Sequence, residues 1–327
     1  MGRYLVRRLI NYIILLFVAI SLAYLLAATA LNPRALYEVR NPPLPPASIE
    51  ASLRQYNLSD KVPILERYWI WLKGVLFHWN WGYSPTGIPV GPEVARRIGV
   101  STRLLVLGTF IGIISGVAAG AWSAVRQYGV RDRVLTVISL ILLSTPTFVS
   151  ATILIILATD FNNSTGIPFF EFTGETGQQG TEPLAWLWDR LQHLLLPTLV
   201  LVMVNFPFFV RIQRNLMLDS LGADYVRTAR AKGLRKERAV MKHALRTSLI
   251  PTGTYFAFSV ATLFTGAAFT ETIFSFNGLG QYGVTTISGN DVNGTVAVTA
   301  FSGVCVLVGA MLSDVMVAIL DPRVRLS

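Results

Sequence analysis

"LINYIILLFVAISLAYLLAATAL", Leu9 through Leu31, is 23 residues long and contains no Asp, Glu, Lys or Arg. A helix needs about 20 apolar residues to cross roughly 30 Å of hydrocarbon, so this run is long enough to span a membrane. It follows Arg3, Arg7 and Arg8 and contains "ATA" at 28–30, which resembles a leader-peptidase site. However, a secretory leader has an apolar core of only about 7–15 residues, so the expectation is a retained helix. Working outward, five more runs have the same character, at 104–125, 134–158, 191–210, 248–270 and 295–319. The expected fold is all-α, a polytopic membrane protein with six transmembrane helices.

Composition agrees with this. Of the 327 residues, 52% are hydrophobic and 14% are charged, whereas soluble domains carry about 25% charged residues. Lipid-facing surface does not tolerate charge. Cys305 is the one cysteine, so the chain can form no internal disulfide and no cysteine-rich metal site.

The net charge of +10 follows the loops. With a cytoplasmic N-terminus, the inner segments hold 18 basic and five acidic residues, and the outer segments hold 10 basic and 11 acidic. This positive-inside bias places both termini in the cytoplasm. The charge therefore reports orientation and gives no sign of nucleic-acid binding. The expected organisation is a first membrane helix (1–31), an external segment (32–103), a five-helix core (104–319) and a short inner tail (320–327). The external segment holds an aromatic cluster with Trp69, Trp71, Trp79, Trp81 and Tyr83. Such residues favour the headgroup level, so a helix lying on the outer interface beneath an external cap is expected. A folded carbohydrate or peptide site there is the alternative.

Several chemistries lack their motifs. No GxxxxGK[ST] loop is present, so the chain carries no nucleotide site of that kind. Gly108, Gly112, Gly116 and Gly120 recur every four residues inside a span, which marks a face for close helix contact. His78, His193 and His243 show no zinc-site spacing, and no metal site, catalytic residue or cofactor is expected in this chain. Asn205, Pro207, Glu271 and Asp314 are the polar or kinking residues in or near the spans, and they are candidates for a translocation path or gate. Glu271 is also readable as a wetted residue at the outer end of its span, and Asp314 as a structural partner of an arginine. Composition leaves open a secondary transporter, a channel, or the membrane half of an ATP-driven machine.

The segment from Arg211 to Thr247 carries ten Lys or Arg residues. "DYVRTARA" reads as one helix, with Tyr225, Val226 and Ala229 able to share a face. Gly233 permits a change of direction, and "RKERAVMKHALR" reads as a second helix with Val240, Met241, Ala244 and Leu245 apolar. The residues alone leave two uses open: a basic amphipathic surface on anionic lipid, or a knob gripped by another protein. A membrane anchor or sensor would use the same loop to recruit cytoplasmic proteins.

"DYVRTARAKGL" (224–234) and "KHALRTSLIP" (242–251) resemble the coupling loop of the permease subunits of binding-protein-dependent ABC importers, in the oligopeptide, dipeptide and nickel branch. "WNWGYS" with "GIPV" at 79–90, "FSFNGLGQYG" at 274–283 and "LDPRVR" at 320–325 extend the resemblance over nearly the whole chain. Asn277 stands where that branch carries proline before Gly278, and "ALNPRAL" and the 171–183 region depart from its pattern. The resemblance implies a type I importer permease that forms half of a peptide pore. It implies as partners a second related permease, two cytoplasmic ATPase subunits that bind ATP and magnesium, and an extracytoplasmic solute-binding protein that delivers peptide. In that arrangement Asp224, Tyr225, Arg227, Thr228, Ala229, Arg230, Lys232, Gly233, Leu234 and His243 form the coupling loop. Arg227, Arg230 and Lys232 would meet acidic groups on an ATPase, Ala229 would allow close approach and Gly233 would supply the turn. Gly278 and Gly280 join the candidate gate residues.

Overall fold

The computed structural model describes residues 2–39, 41–177, 183–261 and 267–320. Among these the chain is helical, and its only β feature is an isolated bridge between Tyr83 and Pro89. The helices are α1 (Gly2–Ala30), α2 (Ala35–Glu38), α3 (Pro46–Gln55), α4 (Ile64–His78), α5 (Val90–Ala124), α6 (Val130–Ser144), α7 (Thr147–Thr165) and α8 (Pro183–Leu221). They continue with α9 (Asp224–Ala231), α10 (Lys236–Ala239), a π-helical turn (Val240–Leu245), α11 (Arg246–Ala261), α12 (Ala268–Ile273), α13 (Leu279–Ser288) and α14 (Val292–Leu320).

Among the described residues four helices are long and apolar enough to cross a membrane, and the bent pair α6–α7 makes five if it counts as one span. The expected runs at 191–210 and 295–319 fall inside α8 and α14, and those at 9–31 and 104–125 fall inside α1 and α5 except for their last residue. The helices extend beyond the apolar runs because polar residues continue them: α5 starts at Val90 and α8 runs to Leu221. The expected single span at 134–158 is instead two helices meeting at 104°. Pro146 is the cause. It lacks an N–H and pushes Thr145 out of the α region, to ψ 119°, so α6 ends there and Pro146 caps α7. Part of the expected fifth span, 248–270, lies outside the described residues, as does the tail after Leu320.

The chain forms two compact units. The first comprises Met1–Thr102 with Phe264–Leu307. Here α4 is two-sided. Trp71 and Leu72 are buried, while Leu65, Trp69, Ile70 and Phe77 are exposed. On the buried side Tyr24 of α1 packs against Trp71 with ring centroids 4.8 Å apart, and Ser21 shares a 2.7 Å hydrogen bond with Tyr68. Ile49 and Leu53 of α3, Leu58, and Val292 and Val296 of α14 complete this core. Val90, Val94, Leu279, Tyr282 and Ala297 form a second core.

The second unit comprises Arg103–Leu263 with Val308–Ser327, and is built on α8, against which α6, α7 and α11 pack. The glycine stripe of α5 also faces α8. A Cβ on Gly108 would lie 2.6 Å from Leu201, on Gly112 2.8 Å from Asn205, on Gly116 2.7 Å from the Phe206 carbonyl, and on Gly120 2.5 Å from the Val210 carbonyl. The spacing of four therefore serves close backbone packing, as the sequence implies.

Candidate coupling surface and buried polar anchors

The 211–247 segment is helical almost throughout. Its first part continues α8, and a short turn at Gly222 leads into α9, where Val226 and Ala229 are buried. They join Ala124 of α5, Met217 of α8, and Ala239, Val240 and Ala244 in one apolar cluster, with Leu234 packed at its edge. Tyr225 and Met241, read as apolar-face residues, are exposed instead. The inward face is narrower than the residue types alone suggest, and Ala229 makes its close approach to the chain's own scaffold.

α9 ends in a Schellman arrangement. Gly233 has φ +89°, its N–H donates to the Arg230 carbonyl at 3.0 Å, and the Leu234 N–H donates to the Ala229 carbonyl at 3.2 Å. Leu234 then packs against the cluster that contains Ala229, the kind of hydrophobic contact that accompanies this cap. A Cβ on Gly233 would meet nothing within 4 Å, so the backbone angle and not space requires glycine. Asp224, Arg227, Thr228, Arg230, Lys232 and Gly233 are exposed around this turn, and His243 is half-buried in the π-helical turn. Contrary to two helices followed by a separate span, α10, the π-helical turn and α11 run without interruption from Lys236 to Ala261. Pro251 lies inside α11 and does not end the pair.

Two buried polar contacts hold this surface to the spans, and neither is legible as a motif. Asp132 at the start of α6 accepts Nε of Arg214 at 2.6 Å and its other guanidinium nitrogen at 2.9 Å, together with Ser123 Oγ at 2.5 Å and the Tyr128 N–H at 2.8 Å. One carboxylate thus ties α5, α6 and α8 together. Gln213, fully buried, donates to Ser248 Oγ at 2.8 Å and accepts from Thr252 Oγ1 at 2.5 Å, joining α8 to α11. The one local signal was polar spacing: Gln213 and Arg214 follow an apolar run, and Ser248 and Thr252 are four apart on one helix face.

The candidate gate residues divide between the two units. In the first unit Glu271 is fully buried rather than wetted. Its carboxylate accepts Ser101 Oγ at 2.5 Å and the Gln281 N–H at 3.0 Å, and Ser101 Oγ accepts the Leu279 N–H at 2.7 Å. A Cβ on Gly278 would collide with this carboxylate, and one on Gly280 would lie 2.8 Å from Ala268 Cα, so both glycines exist to let the turn close over Glu271. Arg97 donates to the Gly278 carbonyl at 3.3 Å and lies 4.6 Å from the Tyr282 ring centroid. In the second unit Asn205 donates to the Leu201 carbonyl at 2.9 Å, Pro207 is buried in α8, and Asp314 is half-buried in α14. Glu271, Gly278 and Gly280 are brought together; Asn205 and Pro207 sit two apart on a different helix.

A helical chain with four to five apolar spans, tied by buried polar contacts and carrying a capped basic helix pair between two of them, is a multi-pass membrane protein. Residues 116–326 match the family described as "Binding-protein-dependent transport system inner membrane component". The chain is 50% identical to the "Oligopeptide transport system permease protein OppB" of Mycobacterium tuberculosis (strain ATCC 25618 / H37Rv) over 329 residues, covering 100% of both. It is 34% identical to the "Dipeptide transport system permease protein DppB" of Lactococcus lactis subsp. cremoris, covering 100% of both. It is 32% identical to the "Oligopeptide transport system permease protein AppB" of Bacillus subtilis, covering 99% of this chain and 100% of the relative. This chain belongs to the family of inner-membrane components of binding-protein-dependent transport systems. It is a permease component and a multi-pass protein of the cytoplasmic membrane.

Proposed function

We propose that the chain forms one half of the transmembrane pathway of an ATP-driven importer of di- and oligopeptides, and that the α9–Gly233–α10 turn is its coupling surface. The observation carrying this is the exposed basic rim of α9 around a left-handed glycine, on a scaffold that continues without a break into α11. The names of the relatives support peptides as cargo.

In this reading both termini lie in the cytoplasm and the chain crosses six times; the charge asymmetry between loops supports that orientation. A second related permease completes the pathway, a solute-binding protein delivers peptide from outside, and two ATPase subunits bind ATP and magnesium. The permease itself hydrolyses nothing. Arg227, Arg230 and Lys232 face acidic groups on one ATPase, with Thr228 and Gly233 at the contact. Closure of the ATPases displaces α9. Because α10, the π-helical turn and α11 are one continuous rod, the displacement reaches α11 directly, and the Gln213–Ser248–Thr252 contacts pass it to α8. The Glu271–Gly278–Gly280 closure is a structural corner of the outer half in this scheme, and Asn205, Pro207 and Asp314 remain candidates for the pathway wall.

Cross-linking tests the reading. In a Cys305→Ser background, a single cysteine at Thr228 or Lys232 is expected to cross-link to a co-expressed ATPase subunit, while one at exposed Trp69 of α4 is not. Absence of ATPase cross-links from both α9 positions would remove the coupling role.

A further inference from the structure

His193 lies one helical turn after Asp189 on α8, so both side chains share a face. The two are buried, with 3% exposure of each side chain. Glu171 reaches them from the segment after α7. That segment is tied down on both sides. Asn162 of α7 donates to the Phe170 carbonyl at 2.8 Å and accepts the N–H groups of Phe169 and Phe170, each at 3.1 Å. Gln192 of α8 donates to the Phe169 carbonyl at 2.8 Å and the Pro168 carbonyl at 3.2 Å. A ligand atom from each of Glu171, Asp189 and His193 lies within 4.8 Å of the others. A cavity of about 450 Å³, lined by Asn162, Glu171, Thr173, Gly177 and His193 among others, opens onto the cluster.

Three observations describe this cluster, in which Asp189 Oδ1 lies 3.4 Å from Nδ1 of His193 and Glu171 Oε2 lies 3.6 Å from Nε2. First, His193 Nδ1 lies 2.8 Å from the Asp189 carbonyl oxygen. The tautomer that donates there points the lone pair of Nε2 towards Glu171 Oε2, 3.6 Å away. That is too long for an N–H···O hydrogen bond. It suits two donors on one ion, since ligands about 2.0–2.2 Å from a tetrahedral centre stand roughly 3.4 Å apart. Second, a Cβ on Gly177 would lie 2.9 Å from Asp189 Oδ1, 2.9 Å from Glu171 Oε2 and 3.3 Å from His193 Cε1. Glycine therefore lets the backbone close against all three groups, and its N–H orients Asp189 by donating to both carboxylate oxygens, at 2.9 and 3.1 Å. Third, Asp189 is buried and Glu171 partly exposed, and a buried carboxylate is stabilised by a counter-charge beside it. Among the described residues only His193 forms an ion-pair contact with either one.

We propose that Glu171, Asp189 and His193 bind a divalent first-row transition-metal ion, with Zn²⁺ the best match, which fastens the α7–α8 connection onto α8. One imidazole and two carboxylates suit such an ion better than Mg²⁺ or Ca²⁺, which take oxygen ligands. The two carboxylates balance its charge, and cavity water completes the coordination. The Asp189 carbonyl on Nδ1 is the outer partner that fixes a ligating histidine's tautomer.

The test uses tag-free full-length chain in lipid nanodiscs, loaded with Zn²⁺ alone, desalted, and titrated against a zinc-chelating indicator. Wild type is expected to retain one Zn²⁺ per chain. His193→Ala and Gly177→Ala are expected to bind at least about 100-fold more weakly, a loss beyond what outer-sphere partners alone supply. Glu171→Gln, at a partly exposed position, keeps the test valid if the buried variants fold poorly, and is expected to lose the retained ion as well. Cobalt(II) in place of zinc should give a visible absorption band that disappears with His193→Ala. Wild type that retains no ion would overturn the proposal. Equal affinity across the variants would also overturn it.

Discussion

Glycine at 233 is required by its backbone angle, since L side chains are strained at φ +89°. Gly233→Ala therefore has room but costs about 1–2 kcal/mol of local strain, and it should loosen the α9 cap without unfolding the protein; faster amide exchange at Leu234 with a melting temperature lowered by only about a few degrees would report this. Glu271 is governed by burial and partners. Glu271→Ala leaves Ser101 and the Gln281 N–H unpaired in a closed interior, an expected cost of about 1–3 kcal/mol for each donor stranded. Glu271→Gln keeps an acceptor for one of them and should recover part of that loss in thermal unfolding. Outside the spans, Glu50 accepts Ser59 at 2.6 Å, Arg54 at 3.0 Å and Arg34 at 2.7 Å, and these contacts hold its carboxyl down to about 2. A depressed carboxyl stabilises the fold above its usual value of 4.5, and that contribution disappears as pH falls through about 2. Wild type should thus lose stability between those values, and Glu50→Gln should flatten the dependence, as read from the near-ultraviolet signal of the adjacent Trp71 core.

At the scale of elements, the Asp132–Arg214 pair is the contact whose loss should matter most. Removing one member of a fully buried pair costs about 3–5 kcal/mol; Arg214 is one-fifth exposed, so Asp132→Ala should cost less than that and still lower the melting temperature. Arg214→Lys, with Asp132 retained, should lower it as well, because an ammonium cannot make the two-pronged contact. The positions of most spans and the packing face of α5 were legible, because hydropathy over twenty residues and glycine every fourth position are local signals. The break at Thr145–Pro146 carried a local signal too, and apolar continuity on both sides hid it. The long reach of α5 and α8 was hidden because polar residues at their ends read as loop. The contacts fixing Glu271 were not legible, since Ser101 lies 170 positions away and only the fold brings them together. The turn at Gly233 was legible as a break, while the inward direction of Ala229 and the exposure of Tyr225 depended on where α5 and α8 end. Asp189 and His193 share an i,i+4 face that the sequence displays, but the arrival of Glu171 needed the path of the connection.

For the whole molecule, the charge asymmetry makes the topology testable. Alkaline phosphatase fused in the α7–α8 connection should be active, and fused after Leu221 inactive; the reverse pattern would invert the orientation and remove α9 from the cytoplasm. The central claim is that α9, Gly233 and the continuous α10–α11 rod carry ATPase motion into the membrane. Its most direct test is peptide uptake and ATP hydrolysis measured together in proteoliposomes holding the full importer with Gly233→Asp. The expected result is an inserted, assembled complex that hydrolyses ATP while accumulating little peptide. Peptide accumulation per ATP hydrolysed equal to wild type would contradict it.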